Sequence, residues 1–260
     1  MWLWDSAFHA LAWNLYVGRM VQEELWAILS QAQADGFIPH QAERFHLRGL
    51  NLGAKISQYL YDPDTGFFYD RLLDGKFSSL KSCAGFAPLF AGTCTAQQAA
   101  PLVEHLTDPG EFASPVPVPS ISLDDKSYGT DMWRGPSWLN WTYMIVLGLE
   151  RYGYRELASE IGGLIVREVE KWYGRSRVLF EYFDSRAEVS PAQCDRKGPV
   201  SGQYLAHKII AIRDYNWTAG CYLLLTDDLR KKAGSASMGH NFSPELPRSS
   251  LALQPPSLYF

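Results

Sequence analysis

The apolar residues of this chain recur with helical spacing over most of its length, and this periodicity predicts a mainly α protein. Phe8, Leu11 and Leu15 share one face of a first helix. Asp5 or Ser6 can cap the N-terminus of that helix. Further helices are predicted at residues 20–29, 51–60, 84–90, 95–106, 137–152, 154–172 and 217–232. About eight helices in 260 residues leave little room for a sheet.

Two stretches between these helices are predicted to be extended. Three prolines at alternate positions exclude a helix between residues 112 and 122, so an extended loop is expected there. The apolar run from Phe67 to Leu72, followed by Asp74–Gly75, predicts a short hairpin. The expected fold is therefore mainly α, with short β-hairpin pieces.

One stretch, from Asp131 to Trp141, combines three tryptophans with Arg134 and Asn140 around a Gly-Pro turn. Indole planes with a few fixed polar groups are typical of a concave site for a ring-shaped polar ligand. A sugar fits this description because its C–H faces lie on indoles while its hydroxyls need polar partners. The alternative is a tryptophan-rich helix start packed in the core, with Arg134 paired to Asp131 for local order.

Two other clusters also combine aromatic residues with carboxylates. Trp4 is followed by Asp5 near the N-terminus, and Glu181 stands between aromatic residues ahead of Trp217. The three clusters lie far apart in the sequence, each beside a predicted helix. If the helices bring them to one end of the fold, they form a cavity suited to a sugar, with several carboxylates.

Four motifs in this chain follow the order of one enzyme family. They are Trp4-Asp5-Ser6, Gly36-Phe37-Ile38-Pro39-His40, the run from Trp133 to Asn140, and Glu181-Tyr182 before Trp217-Thr218. With them the chain resembles glycoside hydrolase family sixty-three, in the branch of mannosylglycerate hydrolase-like enzymes and processing α-glucosidases. The resemblance covers most of residues 1–225. It implies an (α/α)6 toroid and inverting hydrolysis of α-glycosides, with an oligosaccharide or small α-glycoside as partner.

The same resemblance implies that the chain is truncated and internally shortened. A complete toroid has twelve helices, against about eight predicted here. Between His40 and the helix at 51–60 the family carries further helices and an Asp-Asn-Ser-Pro motif, whose Asp is the general acid. Here residues 41–50 bridge that space, and no Asp-Asn pair occurs in the sequence. The toroid is therefore expected to be incomplete.

The catalytic chemistry of the family explains why the missing motif matters. Inverting glycosidases use two carboxyl groups about 6.5–9.5 Å apart, one to protonate the leaving oxygen and one to activate water on the opposite face. Glu181 stands at the family's Glu-Tyr position and is the candidate base; the alternative is a surface Glu beside an edge strand. No carboxylate matches the acid, so activity is expected to be impaired. Asp5 and Asp131 are substitutes from other segments.

The aromatic loop supplies four candidate sugar-binding residues. Trp133 and Trp138 are five residues apart and do not share a helix face, so one is expected to line a cavity while the other packs beneath it. Arg134 and Asn140 are expected to fix the loop geometry. The alternative for Asn140 is a hydrogen bond to the backbone.

The other substrate-binding candidates are Trp4, Asp5, His40 and Trp217. Asp5 is expected to accept hydrogen bonds from sugar hydroxyls, and it can cap its helix at the same time. His40 follows Pro39 in a segment predicted to be irregular, where it contacts substrate or bonds to the backbone. Both alternatives for His40 remain open.

The composition of the chain disfavours several classes of binding partner. A net charge of −4 and a pI near 5.9 disfavour nucleic acid or an anionic membrane, and no apolar run reaches the roughly 18 residues of a membrane helix. The first residues lack the order of a secretory signal, which favours a cytoplasmic location. Six scattered histidines predict no metal site, four separate cysteines predict no disulfide scaffold, and no cofactor is expected.

The residues after Lys232 differ from the rest of the chain. They are rich in Ser, Gly and Pro without an apolar period, so a partial glycosidase domain is predicted at 1–232 and a disordered or non-native tail at 233–260. Two non-enzymatic alternatives remain: a carbohydrate-binding or degenerate glycosidase-like protein, and a helical repeat scaffold. A scaffold would show a repeat of about 30 to 45 residues, and the sequence has none.

Overall fold

Six α-helices and one two-stranded hairpin make up the described part of the protein. The computed structural model describes the backbone of residues 39–196 and 211–238, and the side chains of residues 48–196 and 211–233. Two short 3-10 helices lie at Cys83–Phe86 and Pro191–Gln193. The other elements are α1 (Pro39–Tyr59), β1 (Tyr61–Asp62), β2 (Phe67–Phe68), α2 (Ala87–Ala91), α3 (Ala96–Thr107), α4 (Leu139–Arg151), α5 (Arg155–Ser176) and α6 (Asn216–Met238).

Helix α4 is the centre of the helical packing. It contacts α2, α5 and α6, and α5 also contacts α6. A close approach between α4 and α2 depends on Gly148, because a Cβ there would lie 2.8 Å from the Cβ of Leu89. Burial on several faces is typical of a helix in the interior of a helical fold. The buried residues of α4 are Leu139, Asn140, Thr142, Met144, Ile145, Val146, Gly148 and Leu149.

Three fully buried phenylalanines fix the hairpin to the helices. Phe67 comes from β2, Phe86 from the first 3-10 helix and Phe112 from the loop after α3. The ring centroids lie 5.3 Å apart for Phe67 and Phe86, 4.9 Å for Phe86 and Phe112, and 5.9 Å for Phe67 and Phe112. Aromatic pairs of this kind add about 0.5–1.5 kcal/mol each beyond the burial of their area.

The predicted hairpin is present, but its strands pair differently. Strand β2 turns back onto β1, which precedes it, across a turn shaped by Asp62. The carboxylate of Asp62 accepts hydrogen bonds from groups two and three residues later, which is why the chain reverses there. The Asp74–Gly75 turn forms as predicted and closes a single bridge between Arg71 and Phe77.

The helices predicted between residues 51 and 232 are all present. Helix α3 begins with a capping box: the Thr95 hydroxyl accepts a hydrogen bond from the Gln98 N–H at 3.2 Å, and the Gln98 side chain accepts one from the Thr95 N–H at 3.0 Å. Helix α6 continues to Met238, beyond residue 232; the domain boundary there stays a prediction. None of the described helices is both long and apolar enough to cross a membrane.

Helix α1 is longer than the sequence predicts. It begins at Pro39, so residues 41–50 are helical and the irregular segment predicted around His40 was wrong. Proline is well tolerated at the first helical position, where its missing N–H has no partner to lose. Gly53 weakens helix propensity but permits close packing, since a Cβ there would lie 2.7 Å from Cγ2 of Thr93.

Extended segments cross one end of the helices. The proline-rich loop at 112–122 is extended, as predicted, and it pairs with segments on both sides. Because α4 and α6 begin beside these segments, the residues just before both helices are brought together. The single bridges join Ser82 to Ile121, Pro119 to Ser137, Ser137 to Phe183, and Phe180 to Arg213.

Candidate functional site

Glu181 lies in an extended segment between the starts of two helices. Its N–H donates to the carbonyl oxygen of Ile212 at 2.9 Å. On the other side, Phe183 and Ser137 exchange two backbone hydrogen bonds of 2.8 and 3.0 Å. The segment is therefore paired on both sides, and Glu181 is only 3% exposed. The alternative of a surface Glu beside an edge strand is wrong.

The carboxylate of Glu181 is both desolvated and paired. Nη1 of Arg196 lies 2.5 Å from Oε2 of Glu181, and the Ile212 N–H donates to the same oxygen at 3.2 Å. Burial raises the pKa of Glu181 above its ordinary value, while the Ile212 N–H and the Arg196 charge act against that rise. A carboxylate in this environment accepts a proton more readily than one in water, as a general base requires.

We expect the ionised carboxylate of Glu181 to weaken the fold as the pH rises. A raised pKa in the folded state means that the contribution of Glu181 to stability is present when it is protonated. That contribution is lost as the pH rises through the folded pKa. As the pH rises above about 4, the ordinary value for Glu, the free energy of unfolding of the wild type should therefore fall relative to that of Glu181→Gln.

Urea titrations across this pH range measure the difference between the two proteins. Glu160→Gln, at an exposed position of α5, controls for the loss of one negative charge. If the wild type gained stability relative to Glu181→Gln as the pH rose, the raised pKa would be contradicted.

Trp133 and Trp138 form a stacked pair in the loop before α4. Their ring centroids are 3.9 Å apart and their planes differ by 2°. Trp138 is 3% exposed and donates its Nε1–H to the carbonyl oxygen of Met132 at 2.9 Å, whereas Trp133 is 41% exposed. One ring thus lies exposed over a buried one, which is the packing that their five-residue spacing predicts.

A tight turn folds the two indoles back onto each other. Met132 has a φ of 36° and Gly135 a φ of 136°, and a Cβ at Gly135 would lie 2.1 Å from the carbonyl oxygen of Gly129. The Arg134 N–H donates to the carbonyl oxygen of Asp131 at 2.7 Å. Arg134 is exposed, and in the described part of the chain no side-chain ion pair joins it to Asp131. The alternative of an Asp131–Arg134 ion pair is therefore wrong.

Tyr182 and Asp195 connect the tryptophan loop to the segment that carries Glu181. The ring of Tyr182 lies 4.9 Å from that of Trp138, and its hydroxyl donates to the carbonyl oxygen of Asp195 at 2.6 Å. Asp195 also pairs with the loop, because the Met132 N–H donates to its carbonyl oxygen at 3.2 Å. The next residue, Arg196, is the partner of Glu181. The tryptophans and the buried carboxylate therefore belong to one connected group.

The other predicted residues have different positions. Trp217 lies in the first turn of α6, and its ring is 5.6 Å from that of Tyr215, which in turn contacts Trp138 at 6.5 Å. Asn140 is 2% exposed in the first turn of α4. Trp4 and Asp5, and the side chain of His40, lie outside the described residues.

Two further carboxylates near this group differ in their partners. Asp184 accepts backbone hydrogen bonds from residues 186, 188 and 189 at 3.2, 2.8 and 2.9 Å, so it holds a turn. Asp131 has one buried carboxylate oxygen with no hydrogen-bond partner among the described residues. Its charge is close enough to Tyr182 to contribute to the raised pKa of that phenol, after burial and the charge of Glu181. Asp131 is therefore the one of the two whose hydrogen-bonding capacity is not taken up by the described residues.

Sequence reasoning missed Arg196, Asp195 and Tyr215. Arg196 stands in the charged run Asp195-Arg196-Lys197, which looks like an ordinary solvated loop. Arg196 lies 15 positions from Glu181, Asp195 lies 13 from Tyr182 and Tyr215 lies 77 from Trp138, so local spacing carries no signal for these contacts. Tyr182 had a signal, because it directly follows Glu181 in a family motif.

Comparison with known proteins identifies relatives for most of this chain. The sequence model described as the mannosylglycerate hydrolase MGH1-like glycoside hydrolase domain matches residues 41–218. Mannosylglycerate hydrolase of Thermus thermophilus is 31% identical over 159 residues, which cover 60% of this chain and 35% of that protein. Mannosylglycerate hydrolase MGH1 of Selaginella moellendorffii is 31% identical over 156 residues, 58% of this chain and 30% of that protein.

A solved structure shares the fold. A family sixty-three mannosylglycerate hydrolase from Thermus thermophilus, in complex with Tris and D-glycerate, superposes with a TM-score of 0.53 at 25% identity. The match covers 83% of this chain and 45% of that one. The described helices are therefore part of a toroid of the (α/α)6 type, as predicted. The chain spans about a third of the length of the first two relatives.

Proposed function

The chain belongs to the MGH1-like family of glycoside hydrolases, and on that basis we propose that Glu181, Trp133 and Trp138 form part of one α-glycoside site. The observation that carries the proposal is the buried Glu181 carboxylate, connected through Arg196 and Asp195 to an exposed indole face. The indole supports a sugar ring through its C–H face. The carboxylate serves as the general base of an inverting hydrolysis.

The reaction has one bond-forming and one bond-breaking event at the anomeric carbon. Glu181 takes a proton from water, and the water oxygen forms a bond to the anomeric carbon from the face opposite the leaving group. The bond from the anomeric carbon to the leaving oxygen breaks, and its electron pair goes to that oxygen. A protonating acid then neutralises the leaving oxygen. The family's acid motif is absent here, which leaves Asp131 and Asp5 as candidates.

The names of the relatives indicate the first substrates to test. Two of them are mannosylglycerate hydrolases, and one structure of such an enzyme holds D-glycerate. An α-mannoside with a small hydroxy-acid aglycone is therefore the first substrate that we propose. Trp133 suits the sugar ring and the exposed Arg134 suits an anionic aglycone.

A second candidate function is sugar binding without turnover. It is favoured by the absence of the family's acid motif from the sequence, because the Trp133 face needs no acid to bind a sugar. A thermal-shift titration with mannose and mannosylglycerate detects binding independently of hydrolysis. Stabilisation by these sugars without turnover of any glycoside would show that the chain binds sugars and does not hydrolyse glycosides.

The stereochemistry of hydrolysis tests the enzymatic proposal. When the chain is incubated with α-mannosyl fluoride, proton NMR should show β-mannose as the first product, since water attacks opposite the leaving fluoride. Glu181→Gln should abolish the signal. Initial release of α-mannose would overturn the inverting mechanism, and turnover that survives in Glu181→Gln would overturn the role of Glu181.

A further inference from the structure

We propose that Arg196 is a positioning residue that keeps Glu181 ionised and turns one of its oxygens towards the attacking water. The inference rests on the proposed role of Glu181 as base and assigns a function to a residue in a loop 15 positions later. It depends on the contacts of the two side chains and of the backbone that holds Arg196.

The hydrogen bonds to Glu181 give its two oxygens different roles. The guanidinium of Arg196 and the N–H of Ile212 both donate to Oε2. Two donors on one oxygen fix the rotation of the carboxylate. Among the described residues both donors contact Oε2, which leaves the lone pairs of Oε1 for a third donor; in the proposed reaction that donor is the water molecule. Arg196 therefore acts on orientation as well as on charge.

The charge of Arg196 matters because the pair is buried. Glu181 has 3% and Arg196 19% of its side chain exposed, so water screens their interaction weakly. Among the described residues, the charge that acts on the Glu181 carboxyl is that of Arg196. Within the described residues, Arg196 is the cation that opposes the cost of burying the Glu181 charge.

The backbone before Arg196 is fixed by the tryptophan loop. The N–H of Asp195 donates to the carbonyl oxygen of Thr130 at 2.9 Å, and the carbonyl oxygen of Asp195 accepts from Tyr182 and Met132. Arg196 thus reaches Glu181 from a segment anchored beside Trp133 and Trp138. A preorganised cation of this kind loses little entropy when it holds the base.

Titration of Glu181 by carbon NMR tests the proposal without any need for activity. The protein is labelled with ¹³C at glutamate side-chain carboxyls, and Glu181→Gln identifies the Glu181 signal. In Arg196→Gln the midpoint of this signal should rise by about 1–3 pH units, because loss of a nearby opposite charge favours the neutral carboxyl. Arg196→Lys should give a smaller rise. Arg213→Gln, at an exposed position beside Ile212, removes the same charge and should leave the midpoint unchanged.

An unchanged Glu181 midpoint in Arg196→Gln would overturn the proposal. If Arg196→Gln does not fold, the double variant with Glu181→Gln decides. Recovery of folding in the double variant supports the proposal, because the unpaired charge is then the cause, and failure of both variants overturns it.

A second readout separates this inference from the proposed function. On α-mannosyl fluoride, the acidic limb of the kcat/KM profile should move to higher pH in Arg196→Gln. A shifted NMR midpoint in a chain with no turnover would leave the pairing intact and refute the catalytic role of Glu181. Turnover by the chain together with an unchanged NMR midpoint would leave the catalytic role of Glu181 intact and refute the role of Arg196.

Discussion

Hydrolysis by this chain is expected to depend on the leaving group. Activated substrates such as α-mannosyl fluoride or a nitrophenyl α-mannoside should be turned over, because their leaving groups depart without protonation. An unactivated methyl α-mannoside needs the acid, which typically contributes about 10²–10⁴-fold to the rate. We therefore expect kcat/KM for the activated substrates to exceed that for the unactivated one by at least about 10²-fold.

Two variants control this comparison. Glu181→Gln should remove turnover of the activated substrates, since the proposed base is lost. Asp131→Asn should leave the activated turnover in place whether or not Asp131 acts as the acid, because these leaving groups depart without protonation. Efficient cleavage of the methyl mannoside by the wild type would contradict the expectation. Loss of that cleavage alone in Asp131→Asn would then identify the acid.

Truncation of Trp138 should cost much more stability than truncation of Trp133. Trp138→Ala removes a ring that is 3% exposed and should cost about 3–5 kcal/mol of stability, as the loss of a buried Trp does. Trp133→Ala removes the exposed ring of the pair and should cost about 1 kcal/mol, in the range of one stacking contact. The two changes are chemically identical, so each controls for the other.

For sugar binding, by contrast, the truncation of Trp133 should have the large effect. A sugar at 100 times its dissociation constant stabilises a folded protein by about 2.7 kcal/mol. Trp133→Ala should abolish this stabilisation while the protein remains folded, as urea titration with and without mannosylglycerate would show. If Trp133→Ala kept the full sugar effect, Trp133 would have no part in binding.

Local sequence patterns predicted the helices because their causes are local. The residues that form the apolar stripe of α5 are three or four positions apart, and the Thr95 cap bonds to a residue three positions later. The predicted start of α1 at residue 51 was wrong, since the helix begins at Pro39 and Gly49 weakens the pattern between them. The helix continues through Gly53 because the glycine packs against Thr93, a residue 40 positions later.

Those features of the candidate site that depend on local sequence were also predicted. The exposed and buried tryptophans follow from a spacing of five residues and a Gly-Pro turn, and Glu181 follows from a family motif. The alternative of an Asp131–Arg134 ion pair was wrong because the turn joins these residues through their backbones. Composition gives residue types, but it does not say which atoms of two nearby residues meet.

The sequence by itself determined the helical class and the family, and the residues that it suggests for glycoside chemistry stay a prediction. Each depends on residue type and short-range order, which a single chain displays directly. The tertiary structure alone decided that Glu181 is buried, that Arg196 is its partner and that both connect to the tryptophan loop. These contacts bring together loops distant in sequence, and their energies come from burial and charge pairing after the helices have packed.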